Sequence, residues 1–114
     1  MPEMKFDVRW PDGTASRCYS PSLVVLELLT VRRYPLFEFM ARVRAALTIG
    51  SERVRLKFGY YCSAAEDQLR ELETRSAKFM PDASVAVLGL YPQGTELPPL
   101  GILLDEVAEA QGAP

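Results

Sequence analysis

Two cysteines are the side chains best suited to chemistry in this chain of 114 residues. Cys62 stands just before Ser63-Ala64-Ala65-Glu66, which matches the S-x-x-E capping box that opens a helix. A thiol there lies near the positive end of the helix dipole, which favours the thiolate. Glu66 and Asp67, in the first turn, oppose that effect. Cys18, in Arg17-Cys18-Tyr19-Ser20-Pro21-Ser22, ends a strand pattern at a strand-to-helix junction. Such junctions often carry functional loops. The pair therefore suggests a nucleophile, Cys62, with Cys18 as its resolving partner. That requires Cα atoms within about 7 Å. The alternative is that both are free thiols buried as small hydrophobes.

The rest of the inventory removes the common catalytic types. There is no histidine, which excludes Ser-His-Asp and Cys-His mechanisms within the chain. It also removes the commonest metal ligand. Two cysteines 44 positions apart form no CxxC pair and are too few for a structural zinc site. No GxGxxG or P-loop pattern is present. Glu66-Asp67 and Asp105-Glu106 are adjacent in sequence, and adjacent helical residues point about 100° apart, a poor arrangement for acid and base. We therefore expect no metal and no cofactor, and a protein without catalysis of its own.

Charge is uneven. The formal net charge is −2. Segment 32–57 nevertheless holds seven basic residues (Arg32, Arg33, Arg42, Arg44, Arg53, Arg55 and Lys57) against Glu38 and Glu52. Arg42 with Arg53, or Arg44 with Arg55, suits either an anionic partner or a solvated helix face. An overall pI near 5.2 argues against nucleic acid. For a small anionic metabolite the candidates are Arg9, Arg17 and Arg53. Phe58, Tyr60 and Tyr61 form an aromatic group beside Gly59 and Cys62. Such rings suit an interface, a pocket or an ordinary core edge.

These side chains need elements to hold them. Met4-Lys5-Phe6-Asp7-Val8-Arg9-Trp10 alternates apolar and charged, which predicts a strand with Met4, Phe6, Val8 and Trp10 inward and Lys5, Asp7 and Arg9 toward water. Pro11-Asp12-Gly13 predicts a turn, and residues 14–19 a returning strand. Ser20-Pro21 predicts a buried helix over about 21–30. A second helix, 36–48, places Leu36, Phe39, Met40, Val43 and Leu47 on one face, with Gly50 as a stop. A third helical stretch covers about 51–58. The capping box opens a helix over 64–78, with Ala65, Leu69, Leu72, Ser76 and Phe79 on one face. Residues 84–91 are almost continuously apolar and predict a strand buried on both faces.

The expected fold is α+β: an N-terminal β-hairpin, three to four helices, and a buried C-terminal strand, in a small antiparallel or mixed sheet with helices on one face. Residues 4–91 are expected to form a single domain. Residues 92–114 read as a Pro/Gly-rich tail with a short helix over 102–110, where Ile102, Leu103, Val107 and Ala110 would turn inward. An apolar tail from Leu100 to Leu104 would leave a greasy patch unless it packed on the body or swapped into a partner, so a homodimer is expected. No apolar run approaches the roughly 18 residues of a membrane span, and no signal-peptide core opens the chain, so no membrane association and a cytoplasmic location are expected.

Three stretches carry a family resemblance. They are Phe6-Asp7-Val8-Arg9-Trp10-Pro11-Asp12-Gly13, Cys18-Tyr19-Ser20-Pro21-Ser22, and Arg53-Val54-Arg55-Leu56-Lys57-Phe58-Gly59-Tyr60-Tyr61-Cys62-Ser63-Ala64-Ala65-Glu66-Asp67-Gln68-Leu69. Together they resemble a small bacterial family of nitrogen-starvation response proteins. Its members are encoded in clusters with a nitrilase, a radical SAM protein, an acetyltransferase and a flavin-dependent oxidoreductase. The resemblance covers roughly residues 4–90, while segment 27–35 departs from it and the tail lies outside it. It implies a setting in nitrogen scavenging by nitrile or cyanide-type chemistry, with an enzyme of the same cluster as partner. It implies no reaction. Cys18 and Cys62 both fall inside the matching stretches.

Overall fold

The computed structural model of the protein describes residues 3–100. The tail helix expected over 102–110 lies outside the described residues.

The alternating segment forms strand β1, Met4–Arg9, and the chain returns as β2, Ala15–Ser20. The turn between them is held by Asp12, whose Oδ1 accepts from the Thr14 amide at 3.1 Å and from its hydroxyl at 2.6 Å. A one-turn helix, α1, covers Val25–Leu28. Strand β3, Arg33–Pro35, leads directly into the long helix α2, Leu36–Phe58. Helix α3, Ser63–Ser76, and strand β4, Ser84–Pro92, complete the order.

The four strands form one antiparallel sheet in the order β2-β1-β4-β3. Residues paired directly across strands share a face. Phe6 thus lies between Cys18 and Leu90, Val8 between Ser16 and Val87, and Tyr34 beside Val85. These form the inner face. From Val87 to Leu90 is three steps, which would ordinarily turn the two side chains to opposite faces. A bulge where β4 passes Asp7 and Val8 absorbs the extra residue and keeps both inside. Leu36, Phe39, Met40, Val43 and Leu47 of α2, with Leu72 of α3, close over this face, so the helices lie on one side of the sheet as expected. Trp10 is 1% exposed between Phe39, edge-on, and Phe79, stacked.

Five expectations are corrected. The helix expected over 21–30 shrinks to four residues. The hydroxyls of Ser20 and Ser22 bond nearby backbone groups instead: Ser20 Oγ donates to the Ser22 carbonyl at 2.8 Å, and Ser22 Oγ accepts from the Val24 amide at 3.3 Å. Such local bonds compete with helix. The stretches at 36–48 and 51–58 are one helix, and Gly50 does not stop it. A Cβ at Gly50 would sit 3.1 Å from Pro21 Cγ and 3.3 Å from Ser22 Cβ, so this glycine is a notch for the crossing chain. The true stop is Gly59, in the left-handed region with φ 83°. Strand β3 was not anticipated. It fills the edge of β4, and Pro35, extended, serves as the N-cap of α2. The capping box is not formed, because α3 starts one residue early with Cys62 at the N-cap position and no side-chain cap bond. Asp7, finally, is fully buried rather than facing water.

Candidate functional site

The sheet register decides what each candidate side chain can do. Arg17 lies across from Asp7 on the outer face. Its Nε and Nη2 meet the two carboxylate oxygens at 2.8 and 2.9 Å, a bidentate pair. Nη2 also donates to the Pro98 carbonyl, which brings the start of the tail over this face. Hydrogen bonding to Asp7 pushes the Arg17 pKa up. Tyr91 completes the cover: a Cβ at Gly89, the residue paired with Asp7, would fall 2.1 Å from the Tyr91 hydroxyl oxygen. Arg17 is therefore a structural clamp on a buried acid. Arg53 donates to Ser22 Oγ at 3.0 Å and ties α2 to the turn before α1. Arg9 is half-buried at the end of β1, and its side chain makes no hydrogen bond or ion pair among the described residues.

Part of the basic run of segment 32–57 is neutralised in place. Arg42 pairs with Glu38 at 3.0 Å and donates to the Leu28 carbonyl at 2.9 Å. Arg44 pairs with Glu73 at 2.8 Å, and Arg55 pairs with Glu52. The Arg32 guanidinium lies 4.3 Å from the Tyr34 ring centroid. Three of the seven basic residues are thus salt-bridged on the helix surface.

The two cysteines differ sharply. Both are free. Cys18 is 0% exposed on the inner face, and burial pushes its thiol far above the usual range, with Glu71 and Asp7 adding to the shift. Cys62 is half-buried at the start of α3. It lines a surface depression of about 310 Å³ with Tyr19, Pro21, Phe58, Tyr60 and Tyr61. Cys62 and Glu3 lie near the Tyr19 hydroxyl. Burial first, then its acidic neighbours, push Tyr19 up to about 12. Gln68 Oε1 accepts from the Tyr19 amide at 3.0 Å and so covers the outer edge of β2.

The rings of Phe58, Tyr60 and Tyr61 in the wall of this depression are exposed, as is nearby Leu56 on α2. Leu56 is 71% exposed, Tyr60 64%, Tyr61 56% and Phe58 48%. The aromatic group is thus no core edge. Arg55 and Lys57 flank it, stacked near Tyr61 at 5.8 Å and Phe58 at 5.5 Å. The helix stop at Gly59 forces these rings outward in a short connection between α2 and α3. Among the described residues no group of acidic, histidine or cysteine side chains is placed to hold a metal ion. Nor is any helix among them long and apolar enough to cross a membrane.

The fold and surface define a small two-layer α+β domain that presents an aromatic platform beside a thiol. The family model for the nitrogen starvation-induced protein NitG matches residues 5–90, and the chain belongs to that family. The match includes both cysteines, Arg9, Arg17 and Arg53, and the whole platform. No curated protein and no solved structure matches the chain.

Proposed function

We propose that this member of the family is a non-enzymatic accessory protein. It docks a partner protein of the nitrogen-starvation response through the platform of Leu56, Phe58, Tyr60 and Tyr61. The observation that carries this reading is the exposure of four large apolar side chains within the six residues 56–61, where α2 ends and the connection to α3 begins. Aromatic rings with polar tips are the groups most often found at the energetic centre of protein interfaces. Lys57, over the Phe58 ring, gives the platform a positive edge, while Arg55 beside Tyr61 is already paired with Glu52, so a partner surface that is apolar with an acidic group at its border fits best. An enzyme that scavenges nitrogen from nitrile or cyanide-type compounds is the partner that the family resemblance favours. The test replaces Leu56, Tyr60 and Tyr61 by serine together. The variant keeps its fold and loses the partner.

The rival reading makes Cys62 a nucleophile and Cys18 its resolving thiol. Its support is the contact of Cys62 with Tyr19 in an open depression. Its difficulty is Cys18, which burial holds in the protonated form. Iodoacetamide applied to the folded protein at neutral pH separates the two readings. Under the accessory reading Cys62 alone is labelled. Labelling of both thiols at similar rates supports the redox pair.

A further inference from the structure

The outer face of the sheet carries a second feature, remote from the aromatic platform. Arg9 of β1 and Arg33 of β3 are both paired with Ala86 of β4, one from each side. The three residues form one transverse row on one face of the sheet. Two strand spacings put the arginine Cα atoms about 10 Å apart. Among the described residues, the strand position between them carries only the methyl group of Ala86. The result is a depression of about 180 Å³ lined by Arg9, Arg33, Ala86, Ser84, Pro11 and Trp10, with Gly13 at its rim. Among the described residues no carboxylate lines it. The nearby acid Asp12 is held by Thr14. Arg33 keeps a contact of its own, whereas the Arg9 side chain has no hydrogen bond or ion pair among the described residues.

We propose that this depression is a binding site for a small oxyanion, a phosphate or a small dicarboxylate, held between the guanidinium groups of Arg9 and Arg33 with the Ser84 hydroxyl as a further donor. A guanidinium presents parallel N–H groups that match the two oxygens of a carboxylate or phosphate. Two of them facing across a small residue give a doubly charged ligand a partner at each end. The volume bounds the ligand. Pockets for drug-sized molecules begin near 300 Å³, and this one is smaller. A nucleotide does not fit, whereas inorganic phosphate or a four-carbon dicarboxylate does. Of the three arginines that the sequence offers for anions, the fold leaves Arg9 for the task, and it adds Arg33, which sequence reasoning does not single out.

Titration of the full-length protein with inorganic phosphate and, separately, with succinate tests the site, read by amide chemical shifts. We expect saturable shifts clustered at Arg9, Gly13, Arg33, Ser84 and Ala86. Arg9→Gln should weaken binding by at least about tenfold. Ser84→Glu, which places a carboxylate in the depression at an exposed position, should abolish it. Arg70→Gln, on the far surface of α3, should leave it unchanged. A response to phosphate alone assigns a phosphoryl ligand, and a response to succinate alone assigns a carboxylate. A response to both assigns a general oxyanion site. No saturable shift with either anion overturns the proposal. So does equal weakening by Arg9→Gln and Arg70→Gln.

Discussion

Asp7 shows what a single buried charge demands of its surroundings. It is fully buried, and Arg17 meets both of its oxygens. Removing one partner of a buried pair strands the other charge, at a cost of roughly 3 kcal/mol or more. Arg17→Met should therefore lower the unfolding free energy by about 3 kcal/mol in urea titrations, and Asp7→Asn in the same chain should recover much of it. A loss under about 1 kcal/mol would show the clamp to be dispensable. Tyr19 sets a pH signature. Its pKa rises from 10.0 to about 12 in the folded chain. Between those values the unfolded chain loses the proton while the folded chain keeps it, so stability falls as pH rises across that window. Buried Cys18 acts in the same direction, starting from an ordinary thiol value of 9.0. Tyr19→Phe should flatten the decline between pH 10 and about 12 in chemical denaturation, and an unchanged slope would contradict the assignment. Neither effect was legible in the sequence. Period-2 alternation assigns Asp7 to water, because its cover comes from Tyr91 and Pro98, more than eighty positions away.

At the scale of elements, strong local patterns were read correctly and weak ones were overruled by tertiary contacts. Strand β1, helix α3 and strand β4 follow from alternation, amphipathic spacing and a long apolar run. Strand β3 has three residues, one of them proline, and no periodic signal, and its pairing with β4 makes it a strand. The same omission concealed Arg33 as a partner for Arg9. The two glycines of the α2 region exchange roles for a similar reason. Gly50 looks like a stop only while Pro21 and Ser22 are invisible. Gly50→Leu should cost about 1–3 kcal/mol through overpacking against them. Gly59→Ala should cost about 1 kcal/mol although nothing lies within 4 Å of its Cβ position, because alanine resists φ 83°. Thermal unfolding of both variants checks the contrast. A stabilised Gly59→Ala would contradict the left-handed cap.

For the whole molecule, the α+β class, the hairpin and the one-sided helices were legible. The placement of the functional surface was not. The sequence places Phe58, Tyr60 and Tyr61 beside one another but does not say whether they face the core or solvent. The answer depends on where α2 ends and how α3 departs. A homodimer through the apolar tail remains a proposal of its own. Light scattering should give twice 12.7 kDa for the full chain and a monomer for a chain ended at Tyr91. Monomers in both would remove it. The central claim, docking through the aromatic platform, is tested most directly by parallel affinity capture from nitrogen-starved cells. The baits are the wild-type protein, the Leu56/Tyr60/Tyr61 triple-serine variant and Arg70→Gln. The account predicts one protein recovered in stoichiometric amount with the wild type and Arg70→Gln and absent with the triple variant. Equal recovery with the triple variant, or no stoichiometric protein with the wild type, would contradict it.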